Sequence, residues 1–199
     1  MTTKEIKITK NLEKGIEFSC QMCGKCCTGF DDGEVYLYKE DIVRLAERLN
    51  MNTTSGLKIF ARKYIKVIKE NFYWKEPGAN KGKNYKFLTL GFKFSGNDEH
   101  CHFLQGKLCG VHEFRPFQCR SFPFWQMMVS SKLNIEAYKK KCKGLQLSEG
   151  KFYSKDQILK WARIEYQIEK KYFLEMKKNN FNILKVYPFL SKDMLMEKE

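Results

Sequence analysis

Apolar residues recur at helical spacing in three stretches of this chain and at strand-like spacing in several others. Across residues 39–50, Ile42, Leu45, Ala46 and Leu49 fall on one face of a helix, which predicts an amphipathic element there. A second helix is expected to open at Thr53, Thr54 or Ser55, each a competent N-cap, and to carry Leu57, Phe60, Ala61, Tyr64 and Ile68 on one face. The period then shortens. Residues 71–74 and 85–90 read as strands either side of the turn-rich segment 77–82. Residues 34–38 read as a short strand after a turn over 28–33, and residues 133–138 as one more strand. A polar tip over 95–99 leads into Cys101, and Gln105-Gly106-Lys107 is expected to form a hairpin turn that brings Cys101 and Cys109 together. Pro116 and Pro123 interrupt the run 114–124 too closely for a regular helix. Ser154 with Gln157 matches a capping box, ahead of a third helix bearing Ile158, Trp161, Ala162, Glu165, Ile168 and Phe173. Residues 181–188 are apolar enough to dock on the body, and residues 192–199 are expected to fray.

These elements predict a small α+β domain, short antiparallel strands packed with helices, followed by a C-terminal helix. The cysteine-bearing part spans 18–144, and a helical extension over 145–199 packs on it. A length of 199 residues suits one domain, and an apolar fraction of 43% with 15% aromatics marks a chain that folds. The sequence holds no internal repeat and no low-complexity linker.

Charge narrows the partners. Lys and Arg number 37 against 23 Asp and Glu, a formal net charge of +14. A basic surface attracts nucleic acid, anionic membranes or acidic proteins. The cations are dispersed and mostly Lys, however, and aromatics do not interleave with Arg as a base-stacking platform requires. Nucleic acid is therefore not expected, which leaves an acidic protein or a small-molecule substrate. The first residues contain no apolar signal core and no segment is long enough to span a bilayer, so the expected location is cytoplasmic. Thiols stay reduced there, and disulfide pairing of the even cysteine count is not expected.

The strongest chemical signal is Cys20-Gln-Met-Cys23-Gly-Lys-Cys26-Cys27, followed by Cys101, Cys109, Cys119 and Cys142. Two residues between cysteines let one tight loop turn several sulfurs toward one ion or cluster, and Gly24 suits such a curled backbone. Adjacent side chains point in different directions, so Cys26 is expected to join Cys20 and Cys23 while Cys27 faces elsewhere. The fourth ligand would come from Cys101, Cys109, Cys119 or Cys142. Eight thiols suffice for two four-ligand sites or for one site with extras. A triplet with a distant fourth ligand favours a [4Fe–4S] cluster, whereas a four-cysteine zinc site usually pairs two such two-residue units; zinc remains the alternative. His100, His102 and His112 lie near these cysteines, with His112 the best placed as a ligand. Arg115 and Arg120 frame Cys119 and are candidates either for charge compensation of an anionic cluster or for gripping the carboxylate of a substrate or cofactor. Phe114, Phe117, Phe122, Phe124 and Trp125 read as an apolar wall that keeps water off the sulfurs. No catalytic constellation stands out.

The N-terminal run from Phe18 through Cys27 resembles the opening motif of the YkgJ-type cysteine-cluster family, described as a zinc- or iron-chelating domain. The helix containing Asp41-Ile42 is similar to its next element. Cys101, Cys109 and Arg115-Pro116-x2-Cys119-Arg120-x-Phe122-Pro123-Phe124 resemble its second motif, and Cys142-Lys143-Gly144 its last cysteine. Two positions depart from that pattern: His112 where the family commonly has Tyr, and Lys143 where it has Pro. The resemblance implies a metal-binding protein often associated with an iron–sulfur cluster. Flagellin lysine N-methylases look like relatives, and that kinship implies methyl transfer from S-adenosylmethionine to protein lysine; a redox role is the other activity that a cluster would support. No Gly-rich strand-to-helix loop accompanies that implication.

Overall fold

The computed structural model describes residues 6–31, 34–95 and 100–195. Its centre is an antiparallel sheet of three strands in the order β2 (Tyr36–Leu37), β4 (Lys83–Phe92), β3 (Ile65–Trp74). β3 and β4 pair in register from Ile65↔Phe92 to Trp74↔Lys83. Two helices precede the sheet's long hairpin, α1 (Lys39–Arg48) and α2 (Thr54–Tyr64). Thr53 is the true cap of α2, its hydroxyl accepting from the Gly56 N–H at 3.0 Å. Ile68 does not continue that helix. The chain turns extended at Ile65, because Ile65, Val67 and Ile68 are β-branched and pair with Phe92, Leu90 and Thr89 of β4.

The third helix, α6 (Lys155–Lys178), opens on the expected capping box: Ser154 Oγ accepts from Gln157 N at 3.4 Å, and Gln157 Oε1 accepts from Ser154 N at 2.9 Å. Phe173 lies 4.8 Å from Phe72 and 5.1 Å from Tyr85 between ring centres, so α6 seals an aromatic core against the hairpin. Leu37, Ile42, Leu45, Phe60, Ala61, Ile65 and Leu90 in the same core have no exposed surface. The tail docks through α7 (Ile183–Val186) and Tyr187. It holds longer than expected: Lys192–Leu195 forms a turn of 3-10 helix with Met194 buried, and 196–199 lie outside the described residues.

The remaining elements are short. β1 (Ile16–Phe18) pairs with β9 (Lys151–Tyr153), β5 (Phe94–Ser95) with β6 (His100–Cys101), and β7 (Leu104–Gln105) with β8 (Leu108–Cys109). The expected turn at Gly106 is present, with a left-handed backbone at φ +61°. The turn read over 28–33 is instead the end of a 3-10 segment, Lys25–Asp31; residues 32–33, and 96–99 of the polar tip, lie outside the described residues. Between the two prolines a five-residue helix does form, α3 (Phe117–Ser121), followed by α4 (Gln126–Val129).

Residues 133–138 are not a strand but part of α5 (Lys132–Lys141). The alternation of Leu133 and Ile135 is misleading: Leu133 is 82% exposed, whereas Ile135 is buried. Ser131 caps the helix, and Lys139, Lys140 and Lys141 occupy its last turn, where cations meet the negative end of the dipole. Among the described residues no helix is long and apolar enough to cross a membrane.

Candidate metal centre

The N-terminal cysteine loop is shaped by two left-handed residues around Cys23, Met22 at φ 47° and Gly24 at φ 75°. A Cβ on Gly24 would stand 3.1 Å from Leu104 Cδ1, so the loop rests on the β7–β8 hairpin. Cys26 and Cys27 then lie in the 3-10 segment, with Cys27 N–H donating to the Gly24 carbonyl at 2.8 Å. On the far side, Ser19 N–H donates to the Gly144 carbonyl at 3.3 Å, and a Cβ on Gly144 would come within 2.3 Å of the Ser19 carbonyl oxygen. Gly144 thus permits the close approach that brings Cys142 beside the N-terminal loop.

A second frame holds Cys119. Asp41, buried in α1, accepts from the Phe117 N–H at 2.9 Å and from Arg44 at 3.1 Å. Arg44 and Arg120 both donate to the Arg115 carbonyl, at 2.7 and 3.0 Å. Gln118 binds both ends of its amide to the main chain of β2 and its approach: Tyr36 N–H donates to Oε1 at 2.5 Å, and Nε2 donates to the Glu34 carbonyl at 2.8 Å. α3 is therefore pinned to α1 and to the sheet edge. Sequence reading missed Asp41 as a structural group and Gln118 altogether. A signal for Asp41 existed, since it sits four residues before Leu45 on the apolar stripe.

All eight cysteines line one cavity of about 70 Å³, and all eight are free thiols. Cys101 and Cys142 are buried, whereas Cys20 and Cys26 are exposed. Phe18, Phe92, Phe103 and Phe122 supply its apolar lining. The expected wall is corrected accordingly: of Phe114, Phe117, Phe122, Phe124 and Trp125, only Phe122 lines this cavity, while Phe124 and Trp125 line the space next to it that Cys20, Cys26 and Cys119 also border. Phe114 lies under Arg48, and Phe117 packs on Trp161. His112 and Arg115 line the cavity; His100, His102 and Arg120 do not. His102 instead stacks edge-on with Tyr64 at 5.5 Å.

The thiols sense one another unevenly. A hydrogen bond with Cys27 draws Cys26 down to about 7 and Cys109 to about 6, with the Arg115 cation assisting both. Cys27 itself is pushed up. One S–H cannot serve two acceptors at once, so Cys27 stabilises one thiolate at a time and further charge needs a cation. Desolvation raises Cys101 to about 11 and holds Cys119 well up. Cys142 is also raised by burial, and its sulfur neighbours are Cys23 and Cys26. Cys119 feels Cys26, Cys101 and Cys109. Cys26 is common to both ends of the cluster: it hydrogen-bonds with Cys27, acts on Cys101, Cys109 and Cys119, and is with Cys23 a neighbour of Cys142, so the expectation that Cys27 faces away from Cys26 does not hold.

Among the described residues no three His, Cys, Asp or Glu side chains are spaced as ligands of a single ion, so the sulfurs border the cavity without closing on a point. A closed thiolate shell carries several negative charges, and a metal is what offsets their repulsion. The donor set itself fits: soft sulfur, in numbers enough for two four-ligand shells, suits zinc or an iron–sulfur cluster rather than a hard cation.

Comparison with known families agrees with this chemistry. The model of the CxxCxxCC family, described as "Putative zinc- or iron-chelating domain", matches residues 19–143, well over half of the chain. No solved structure matches it.

Proposed function

The chain belongs to the CxxCxxCC family of zinc- or iron-chelating domains, and from that premise we propose that it carries a [4Fe–4S] cluster with a redox role. The observation that carries this reading is the convergence of all eight thiols on one cavity. Cys20, Cys23 and Cys26 supply three ligands from the N-terminal loop, and Cys142 the fourth, because its sulfur neighbours are Cys23 and Cys26. Cys27, Cys101, Cys109 and Cys119 are the second set in this reading, with the hydrogen-bonded pair Cys26 and Cys27 as the junction between the two. Bound there, a cluster supplies one-electron chemistry. The residues around it hold charge and exclude water. Arg115 offsets thiolate charge, and Phe18, Phe92, Phe103 and Phe122 keep the surroundings dry.

A second reading draws on the same two sets: four thiolates close a zinc shell, so eight would hold two zinc ions as structural staples for an interaction protein. Anaerobic purification followed by elemental analysis and a visible spectrum separates them. Iron with acid-labile sulfide and a brown thiolate-bound chromophore supports the cluster. Stoichiometric zinc without colour replaces it with the staple, and protein free of both metals ends the metal reading. Cys23→Ser tests the ligand set, since it should lower metal content and solubility together. Full metal and stability in that variant would remove Cys23 from the shell.

A further inference from the structure

A larger cavity, of about 550 Å³, adjoins the sulfur cavity and shares Phe18, Cys20, Cys26, Arg115, Cys119 and Phe122 with it. Its volume falls in the range of roughly 300–1,000 Å³ typical of small-molecule sites. Aromatic residues make nearly half of its lining. Phe124 and Tyr153 stand 4.7 Å apart between centroids, Trp125 and Tyr138 6.0 Å apart edge to face, and Trp161 adds a further ring. Such rings give the cavity an apolar lining suited to an aromatic guest.

The polar groups on those walls are unequal. Gln118 spends both ends of its amide on the main chain, and the Trp125 indole N–H donates to the Gln118 carbonyl at 2.8 Å. Glu34 pairs with Lys66 through Oε1 at 2.8 Å, and its other oxygen is buried without a hydrogen-bond partner. Arg115 and Arg120 differ: each spends its Nε on a carbonyl, of His112 at 2.8 Å and of Arg115 at 3.0 Å. Among the described residues no carboxylate lies within 4 Å of either, although Asp41 acts on Arg120 from farther off. Their terminal nitrogens are fork-shaped donors of fixed geometry, the arrangement that receives a carboxylate.

We propose that this cavity binds a planar aromatic carboxylate, with the ring between the aromatic walls and the carboxylate on Arg115 and Arg120. The site rests on the metal reading only for its neighbour across the shared wall, where Arg115 would face the bound anion and the sulfurs alike. The guest would then sit beside the sulfurs, as the substrate of a redox centre must.

The test is calorimetric titration of the purified protein with 2-naphthoate, its neutral isostere 2-naphthalenemethanol and its cationic isostere 2-naphthylmethylammonium. Metal content is measured on the same samples. Naphthoate is expected to bind one to one, at least ten-fold tighter than either isostere. Arg120→Gln should erase that preference, and a ten-fold preference retained in that variant would remove Arg120 from the site. Equal binding of the alcohol, or tighter binding of the ammonium, overturns the proposal, and neither result depends on a variant folding. Metal present without naphthoate binding sinks the proposal alone. Naphthoate binding to metal-free protein sinks the metal reading and leaves this one standing, and absence of both sinks both.

Discussion

Around β3 and β4 the molecule is built from long elements: two ten-residue strands in continuous register, sealed by a 24-residue helix. Around the cysteines it is built from fragments. β6 and β8 have two residues each and α3 has five. The sheet half buries Phe60, Ile65, Leu90 and Phe173 completely and stands on apolar contact. The sulfur half joins that core through Cys101, Phe103 and Val111 and adds specific links: a buried carboxylate at Asp41, an amide clamp at Gln118 and a backbone contact at Gly144. Two-residue hairpins are not self-supporting in water. The contrast teaches that one half is a scaffold and the other is completed by what its thiols hold.

Removing metal should sharpen the contrast most. Anaerobic chelation is expected to raise amide hydrogen exchange across 20–31 and 101–119 at least a hundred-fold, about 2.7 kcal/mol of lost local protection. The β3–β4 pairs should keep theirs, and uniform loss across both halves would erase the distinction. Phe173→Ala probes the scaffold. It should cost about 3–5 kcal/mol in denaturant unfolding with metal per chain unchanged. Metal falling in step with stability would show the halves to be one unit.

Glu165 lies on the seam, accepting from Gln126 N of α4 at 2.5 Å. Burial, then repulsion from Glu169, raises its carboxyl from 4.5 to about 8. A folded pKa above the unfolded one means the fold binds the proton more tightly. Stability is therefore full below about pH 4.5 and lost as pH rises toward 8. Glu165→Gln should flatten that slope, an effect on the order of a few kcal/mol at pH 8; an unchanged slope would remove Glu165 from the seam's energetics. The smallest effect belongs to Asp41→Asn. The amide oxygen still accepts from Phe117, and the lost charge faces an Arg44 whose side chain is 32% exposed, so about 1 kcal/mol is expected in thermal melts, with metal retained. Complete metal loss would mean that α3 depends on the charge itself.

Helices α1 and α6 and the β3–β4 hairpin were legible in the sequence because periodicity and caps act locally. Ser154 with Gln157 announced α6 by itself. The site was legible as chemistry, since C-x2-C-x2-C-C names its donors, but not as geometry. The frame around Cys119 depends on side chains such as Gln118 meeting main chain more than 80 residues away, at Tyr36 and Glu34. No local pattern encodes that. α5 was misread because a short stretch with apolar residues two apart fits either period, and only Leu133's exposure decides. The aromatic lining escaped for a similar reason: Phe92 and Phe103 reach the sulfurs from the end of β4 and from the loop between β6 and β7, whereas proximity in sequence pointed to Phe114 and Phe117.

The pairing of β1 with β9 sets an order of events during synthesis. Phe18, two residues before the first cysteine, closes against Lys151, and Ile16 against Tyr153. A ribosome adding about 5–20 residues per second needs on the order of ten seconds to travel from one strand to the other. Throughout that interval the N-terminal thiols are exposed on an unclasped chain. The full set of eight thiols exists only once Cys142 has been added, nine residues before Lys151, so the clasp can close only on a chain that already carries all of them.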